Sequence, residues 1–353
     1  MPRATLRSLP LLVALLAACG EPPATETAPP VLPTLPKGTW TWIDVPGTSC
    51  GDGSQTGIAV NPGEGPGLLV FLNGGGACFD YLTCFVLQTA GPGSFGRAAF
   101  AALAARLPGS ILDRSDPRNP YRAMSLVFVP YCTGDVHGGN NVFDYPDTSG
   151  RTHPWRHVGQ ANVAVALPWI ATAFPAPSPL VVSGSSAGGY GALLNYDAFR
   201  RTFPGADAVL VDDSGPPLVG DDLSPALRAA WVAAWRIDRI ITPLCPECLG
   251  DFSKLFPALA SRYPRDRLAL LSSTQDEVIR AFFGYLDAPA FEAAIGRLEG
   301  ALDPLPGVRY FVVAGTTHTM LPAPANFTAG GVELRTWLGQ QLAGDAAWTS
   351  AKP

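Results

Sequence analysis

The chain has 353 residues and 47% of them are hydrophobic, which is enough for one large folded domain and excludes a small scaffold held together by disulfides. The formal net charge is −5 and no basic run is present, which argues against a nucleic acid as partner. The 38 glycines and 36 prolines indicate many loops around the core rather than long helices.

The N-terminus has the pattern of an export signal. Arg3 and Arg7 precede an apolar run at residues 9–18, which is too short to span a bilayer comfortably. The four residues that end at Cys19, Leu-Ala-Ala-Cys, resemble the bacterial lipobox, in which the cysteine is lipidated. The alternative is an ordinary cleaved signal with an incidental cysteine. The lipobox predicts an exported bacterial cell-envelope lipoprotein, in the periplasm or at the cell surface, with the outer membrane as its expected site.

These features divide the chain into four parts. We expect a lipoprotein signal peptide at residues 1–18, followed by a lipidated cysteine and a proline-rich tether at residues 19–37. The lipid on Cys19 would then attach the protein to the membrane. One folded domain is expected at residues 38–345, with a tail at residues 346–353.

Within the domain, apolar runs alternate with helical patterns. Strands are predicted at residues 68–72, 125–129, 180–183, 208–211, 268–271 and 308–313. Helices are predicted at residues 98–106, 159–173, 187–203, 222–240 and 332–342. Strands that alternate with helices predict an α/β domain whose mostly parallel sheet has helices on both faces.

The segment Gly184-Ser-Ser186-Ala-Gly188 is the strongest functional motif. It follows a predicted strand and leads directly into a predicted helix, which is the context of a nucleophile elbow. Gly184 and Gly188 would allow the strand and helix to approach closely, and Ser186 occupies the central position of the motif. We therefore expect Ser186 to be a catalytic nucleophile. The alternative is a Gly- and Ser-rich turn without chemistry.

A serine nucleophile requires a general base and an acid that orients it. His318 follows the last long apolar run, where α/β-hydrolases place the base, whereas the other three histidines precede Ser186. Asp276 follows the strand at 268–271 and is the expected acid. Its alternative role is to cap the next helix, and Asp212 and Asp213 are rival acids at another strand end.

An oxyanion hole needs N–H groups aimed at the developing negative charge. Ala187 at the start of the helix supplies one candidate, and Gly75 and Gly76 after the strand at 68–72 supply two more. The alternative for these glycines is a plain turn. Chemistry of this kind needs neither a metal ion nor a cofactor, so we expect none.

The segment at residues 134–160 is rich in glycine, asparagine, aspartate and aromatic residues, and it contains His137, His153 and His157. A loop this long either lines the substrate cleft or is a solvated connection, and the sequence does not decide between them. Trp231 and Trp235 lie at helical spacing and are expected to pack in the core rather than to form a sugar-binding platform.

The seven cysteines agree with export, because removing Cys19 leaves an even number, as in proteins of oxidising compartments. Six cysteines allow 15 connectivities, so the pairing stays open. Spacing suggests two local bridges, and elimination suggests a third: Cys78 with Cys84, Cys245 with Cys248, and Cys50 with Cys132. A zinc site at the single Cys-x-x-Cys lacks a second pair of ligands.

Six blocks of the chain resemble the pectin acetylesterase family of Notum-like carboxylesterases. In order, from about residue 68 to residue 320, they are LLVFLNGGGACFDYLTC, SLVFVPYCTGDVHGG, VVSGSSAGGYGALLN, VLVDDSGPPL, STQDEV and GTTHTM. The resemblance implies an α/β-hydrolase fold and a metal-free triad at Ser186, Asp276 and His318. It also implies oxyanion donors at Gly75, Gly76 and Ala187.

The resemblance further implies removal of acyl esters from carbohydrate or, in Notum, from a lipidated protein. This chain has Gly76-Ala77 where many members carry an aromatic pair, so the substrate does not transfer with the fold. We expect a secreted, membrane-anchored serine esterase that acts on acylated carbohydrate or small esters, with acetyl as the leading acyl group. The alternatives are a general short-chain carboxylesterase or lipase-like hydrolase, and a surface binding protein without turnover.

Overall fold

The computed structural model describes Met1, residues 34–91 and residues 93–353. The predicted signal peptide beyond Met1, the lipidation site at Cys19 and most of the predicted tether therefore lie outside the described residues. Within the described residues, no helix combines the length and apolar character needed to cross a membrane.

The main sheet has eight strands, and its core strands are the apolar runs of the sequence. In the order β1-β2-β4-β3-β7-β8-β9-β10, β1 and β2 pair antiparallel with their neighbours, and all later pairs are parallel. Two small antiparallel pairs, β5-β6 and β11-β12, lie outside it. The strands are β1 Thr41–Ser49, β2 Gln55–Asn61, β3 Leu68–Leu72, β4 Ser125–Val129, β5 Asn141–Pro146, β6 Thr152–His157, β7 Leu180–Ser185, β8 Ala208–Asp213, β9 Arg267–Ser273, β10 Val308–Val313, β11 Thr328–Ala329 and β12 Val332–Glu333.

Helices cover both faces of this sheet, because its central strands are buried along their whole length and present apolar side chains to both sides. One face packs against α2, α3, α4, α6 and α8, and the other packs against α1 and α9. The helices are α1 Arg97–Ala104, α2 Gly159–Ala173, α3 Ala187–Thr202, α4 Pro225–Trp235, α5 Asp238–Ile241, α6 Leu255–Arg262, α7 Glu277–Phe282, α8 Ala288–Leu302 and α9 Leu334–Ala343. Single turns occur at Leu82–Val86, Gly220–Asp222, Pro246–Leu249, Phe252–Lys254 and Pro324–Asn326. The predicted fold class, a mostly parallel α/β sheet between helices, is confirmed.

The structure departs from the predicted elements in several places. The helix predicted at 222–240 is divided, because Arg236 adopts a left-handed conformation with φ 56° between α4 and α5. Trp231 and Trp235 of α4 are buried and stacked with ring centroids 4.7 Å apart, so they pack in the core. Eight elements were not expected from the sequence: β1, β2, β5, β6, β11, β12, α6 and α8.

Residues 346–353, which the sequence separates as a tail, are packed on the domain. Trp348 and Ala351 are buried, and Ala351 pairs in parallel with Phe311 of β10. The main-chain groups of Ala351 bond to Tyr310 and Val312 at 2.9 Å each. These residues therefore cover the edge strand of the sheet, which would otherwise offer unpaired N–H and C=O groups.

Three disulfides stabilise the loops of the domain. They join Cys50 to Cys132, Cys78 to Cys84, and Cys245 to Cys248. These are the three pairs suggested by spacing and elimination. The first links the β1–β2 turn to the segment after β4, and the second closes a short loop directly after the glycines that follow β3.

Candidate active site

Five neighbouring parallel strands, β3, β7, β8, β9 and β10, end at one edge of the sheet. Their carboxyl ends, or the segments that follow them, contain Gly75, Ser186, Asp213, Asp276 and His318, respectively. The parallel sheet therefore brings together residues that are far apart in the chain. Ligands of open α/β sheets bind at this kind of edge, so the convergence marks a candidate active site.

The backbone at Ser186 is strained and held by close packing. Ser186 has φ 61° and ψ −123°, which residues with side chains rarely adopt, and its N–H donates to the main-chain oxygen of Asp213 at 2.7 Å. A Cβ atom at Gly184 would lie 2.1 Å from the main-chain oxygen of Gly188, and one at Gly188 would lie 1.9 Å from that of Leu72. Only glycine fits at these two positions. The motif therefore forms the sharp strand-to-helix turn predicted for it.

The glycines after β3 lie against this turn. A Cβ atom at Gly74 would lie 2.5 Å from the main-chain oxygen of Ser185, and Gly76 has φ 78°, which favours glycine. Within the described residues, the N–H groups of Gly75, Gly76 and Ala187 donate no hydrogen bond to the protein. These N–H groups are available to a ligand, as an oxyanion hole requires.

Asp276 and His318, which are 42 residues apart, are joined by a hydrogen bond. His318 Nδ1 lies 2.9 Å from Asp276 Oδ2 and 3.0 Å from Oδ1. The fully buried carboxylate also accepts the N–H groups of Val278 and Ile279 at 3.0 Å each, and so caps α7. Asp276 thus caps the helix and contacts the imidazole at the same time. In a neutral imidazole, a carboxylate beside Nδ1 favours the tautomer with the proton on Nδ1, in which Nε2 carries the lone pair.

The hydroxyl of Ser186 is not hydrogen-bonded to His318 within the described residues. Hydrogen bonds of this kind are often long or poorly aligned without substrate and tighten in the complex. Thr319, which follows His318, lines the same cavity as Ser186. The segment that carries the base and the turn that carries the serine therefore border one cavity.

The rival acids Asp212 and Asp213 do not hydrogen-bond to His318 in the part of the chain that is described. The carboxylate of Asp213 instead accepts the hydroxyl of Ser185 at 2.6 Å and the N–H of Met320 at 3.0 Å. Both aspartates are fully buried, and burial raises the pKa of both carboxyl groups above the usual value. At Asp213 the hydrogen-bond donors offset part of this rise. Of the three aspartates, Asp276 is the one that contacts the imidazole.

A cavity of about 430 Å³ opens beside Ser186, on the face of the sheet that α1 covers. Its walls are mostly apolar side chains of β3, β4, α1 and the loop after α1, and Thr319 and Leu321 close the side nearest His318. The apolar lining residues are Phe71, Phe95, Ala99, Ala102, Leu103, Leu107, Ile111, Leu112, Phe128, Leu321 and Pro322. A volume of this size is typical of a pocket for a small organic ligand.

The long segment between β4 and α2 is not a solvated connection, because much of it forms the β5–β6 hairpin and two of its histidines are buried. His137 Nε2 lies 2.9 Å from the main-chain oxygen of Asn73, which directly precedes the glycines after β3. His157 lies between the hydroxyl of Tyr145 at 2.8 Å and the main-chain oxygen of Thr133 at 2.9 Å. Burial lowers the pKa of His137 to about 4 and that of His157 to about 3. Both rings are therefore neutral at pH 7, and His137 supports the glycine loop through a donated N–H.

Sequence reasoning did not find three features of this site. All three depend on tertiary packing. They are the contacts of Asp213 with the segment after His318, the support of Asn73 by His137, and the part of α1 in the cavity wall. One signal was present for Asp213, because it ends a predicted strand and the ends of neighbouring parallel strands lie side by side. The other two carried no local signal.

The chain is similar in sequence to one known family and to several named proteins. A sequence model of the family described as Pectinacetylesterase matches residues 40–249. The palmitoleoyl-protein carboxylesterase NOTUM of Drosophila melanogaster is 31% identical over 223 residues, which cover 58% of this chain and 31% of that protein. The corresponding notum1 of Xenopus laevis is 29% identical over 174 residues, covering 47% and 34%. The chain thus spans about a third of the length of these curated relatives.

Solved structures give the same fold. Two crystal forms of the Wnt deacylase Notum from Drosophila superpose with TM-scores of 0.60 and 0.63 at 20% and 21% sequence identity. The superpositions cover 87% and 88% of this chain and 94% and 95% of the matched chains. At this identity the similarity establishes the shared α/β architecture.

Proposed function

This chain belongs to the pectinacetylesterase family, and we propose that it is a serine carboxylesterase whose catalytic residues are Ser186, Asp276 and His318. The observation that carries the proposal is the hydrogen bond between His318 and Asp276 at the sheet edge where the strained Ser186 projects. A nucleophile, a base and an orienting acid are the parts that acyl transfer requires. Because the family is one of esterases, we assign these residues to ester hydrolysis.

In the proposed mechanism, the Ser186 hydroxyl attacks the ester carbonyl while His318 Nε2 takes its proton. The N–H groups of Gly75, Gly76 and Ala187 hold the oxyanion of the tetrahedral intermediate. The imidazolium, stabilised by Asp276, then protonates the leaving alcohol and an acyl-enzyme remains. Water activated by the same imidazole attacks the acyl carbonyl, releases the acid and restores the serine hydroxyl.

Labelling with a fluorophosphonate probe tests this proposal directly. The probe should attach to Ser186, as shown by mass spectrometry of the labelled peptide, and Ser186→Ala should abolish labelling while keeping the wild-type melting temperature. The peptide also contains Ser185, whose hydroxyl is bound to Asp213, and this serine is the internal control. Folded wild-type protein that neither reacts with the probe nor hydrolyses p-nitrophenyl acetate would instead support a binding protein without turnover.

Two classes of acyl group remain candidates. Family membership favours acetyl groups on carbohydrate, whereas the cavity beside Ser186 favours a longer apolar chain. An acetyl group buries a single methyl, and about 430 Å³ of mostly apolar space is far more than it needs. The relatives named palmitoleoyl-protein carboxylesterases also act, by their names, on a long acyl chain. Hydrolysis rates across esters of increasing chain length decide between the two classes.

We further propose that the protein is exported and anchored through a lipid on Cys19. The three disulfides support an oxidising compartment, and the lipobox-like sequence supports the anchor. Growth of the producing cells with radiolabelled palmitate should label the wild-type protein and not Cys19→Ala. Equal labelling of the two, or recovery of both as free soluble protein, would reject the anchor and leave the esterase assignment untouched.

A further inference from the structure

Asp213 ends β8 and contacts Ser185, the last residue of the neighbouring strand β7, and Ser186, which follows it. The hydroxyl of Ser185 donates to Asp213 Oδ2 at 2.6 Å, and the N–H of Ser186 donates to the main-chain oxygen of Asp213 at 2.7 Å. Asp213 is fully buried, so water does not compete for these bonds. One residue thus fixes the side chain of Ser185 and the main chain of Ser186.

The same carboxylate also holds the segment that follows His318. The N–H of Met320 lies 3.0 Å from each carboxylate oxygen, and the N–H of Leu321 lies 3.0 Å from Oδ2. The next residue of the chain adds a fourth contact, because Ser214 Oγ accepts the N–H of Thr319 at 3.1 Å. All three residues directly after His318 are therefore tied through their main chain to the end of β8.

We propose that Asp213 is a positioning residue that sets the placement of the nucleophile Ser186 relative to the base His318, an inference that rests on the proposed esterase function. Ser186 and His318 share no hydrogen bond in the described structure, so their approach depends on the main chain on either side. Asp213 is bonded to both segments: its main-chain oxygen accepts the N–H of Ser186, and its carboxylate accepts the Ser185 hydroxyl and the N–H groups after His318. Errors of about 1 Å in such placement can lower rates by about 100-fold.

The chain contains a matched control for this proposal. Asp212 is the preceding residue of the same strand and is equally buried, but its carboxyl group faces the main-chain N–H of Gly215 and makes no hydrogen bond to Ser185 or to the segment after His318 within the described residues. It points towards the nucleophile helix instead, since a Cβ atom at Gly189 would lie 2.4 Å from Asp212 Oδ1. Substitution at 212 or 213 removes the same buried group, but only substitution at 213 breaks contacts to Ser185 and the segment after His318.

The test compares Asp213→Ala and Asp213→Asn with Asp212→Ala and Asp212→Asn, using kcat and KM for p-nitrophenyl acetate and the melting temperature. Asp213→Ala should lower kcat by about 100-fold and change KM by less than about threefold, because misplacement affects the reacting atoms more than binding. Asp213→Asn keeps one oxygen for the N–H donors and should recover about tenfold of that loss. Both variants at 212 should stay within about threefold of the wild-type kcat.

Ser185→Ala keeps the test decisive if Asp213→Ala fails to fold. It removes one bond to the carboxylate and should lower kcat by about tenfold without changing KM. Wild-type kcat in Asp213→Asn and Ser185→Ala, or equal losses at 212 and 213, would overturn the positioning role. Absence of ester hydrolysis by the wild type would reject the esterase assignment first, so the two failures are distinguishable.

Discussion

The cavity beside Ser186 predicts which acyl groups the protein prefers, and a substitution on α1 can test it. Ala101 and Ala102 are neighbours on α1 and both are exposed, but only Ala102 lines the cavity. Ala102→Trp should fill part of the cavity with an indole ring. Ala101→Trp changes the same residue type on the same helix and is the matched control for helix propensity and stability.

The expected magnitude follows from apolar burial. A methylene group removed from water contributes about 0.8 kcal/mol, which is roughly fourfold in kcat/KM if it is fully buried in the transition state. An octanoyl chain has six more methylenes than acetyl, a ceiling of about 5 kcal/mol. Half of that ceiling corresponds to roughly a 70-fold preference for octanoate. With about 30 Å³ for each water-sized group, the cavity of about 430 Å³ has room for a chain of this length.

The assay measures kcat/KM for p-nitrophenyl esters from acetate to octanoate, below their critical micelle concentrations. The wild type and Ala101→Trp should show rates that rise with chain length. Ala102→Trp should retain its acetate rate and lose at least about tenfold on octanoate. A wild type that prefers acetate over butyrate and octanoate, or identical profiles for the two tryptophan variants, would show that the acyl chain does not enter this cavity.

Three further predictions concern the catalytic residues and the buried histidines. Ser186→Ala and His318→Ala should each lower kcat by several orders of magnitude and nearly equally, because triad members act as a unit; wild-type kcat in His318→Ala would identify another base. His137→Phe should lower kcat with little change in KM, whereas His137→Gln, which can still donate to Asn73, should recover part of the rate. In urea titrations, acidification from pH 7 to pH 5 should lower the free energy of unfolding by about 2 kcal/mol for each of His137 and His157. Asp135, whose pKa burial raises to about 6, should increase it by about 1 kcal/mol over the same range.

The sign of the pH effect follows from proton binding. The two histidines have lowered pKa values in the folded protein, so below pH 6.5 the unfolded chain binds more protons and stability falls. Asp135 has a raised pKa, so between about pH 6 and its unfolded value near 3.8 the folded chain binds more protons than the unfolded chain. Its contribution to stability therefore rises as the pH falls through this range. The free energy of unfolding should therefore change less between pH 7 and pH 5 in His157→Phe than in the wild type. The raised pKa values of Asp212 and Asp213 also return stability on acidification, so the decisive comparison is between variant and wild type. The same loss of stability between pH 7 and pH 5 in His157→Phe as in the wild type would contradict the neutral burial of this ring.

The parts of the fold that were predictable are those that local chemistry specifies. The strands β3, β4 and β7 are continuous apolar runs, and a run buried on both faces is typical of a central parallel strand. The turn at Ser186 was equally predictable, because Gly184 and Gly188 are required by contacts within the motif and with the adjacent strand. Hydrophobic pattern and glycine placement thus indicated both the sheet and its reactive edge.

The parts that were not predictable depend on partners distant in sequence. β1 contains Pro46 and Gly47, which weaken a strand pattern, and its pairing with β2 is interrupted between Asp44 and Ser49, where these residues lie. It forms because Thr41 to Asp44 pair with β2 on one side of the irregularity and Ser49 pairs with Gln55 on the other. The β5–β6 hairpin is rich in loop-forming residues and is held by cross-strand pairing of Phe143 with Trp155. Propensity alone assigns such segments to loops, and tertiary packing overrides it.

The same distinction explains how the site tolerates a strained serine. A non-glycine residue keeps a conformation like that of Ser186 only where its surroundings over-determine it. Here the glycine contacts fix the turn against β3, and the main-chain bond to Asp213 fixes it against β8. The carboxylate of the same residue bonds to the Ser185 hydroxyl and to the N–H groups of Met320 and Leu321, so the residue beside the strained serine and the segment that follows the base are both held by one buried carboxylate. Loss of that carboxylate should therefore affect turnover more than the loss of any single contact at the surface of the site.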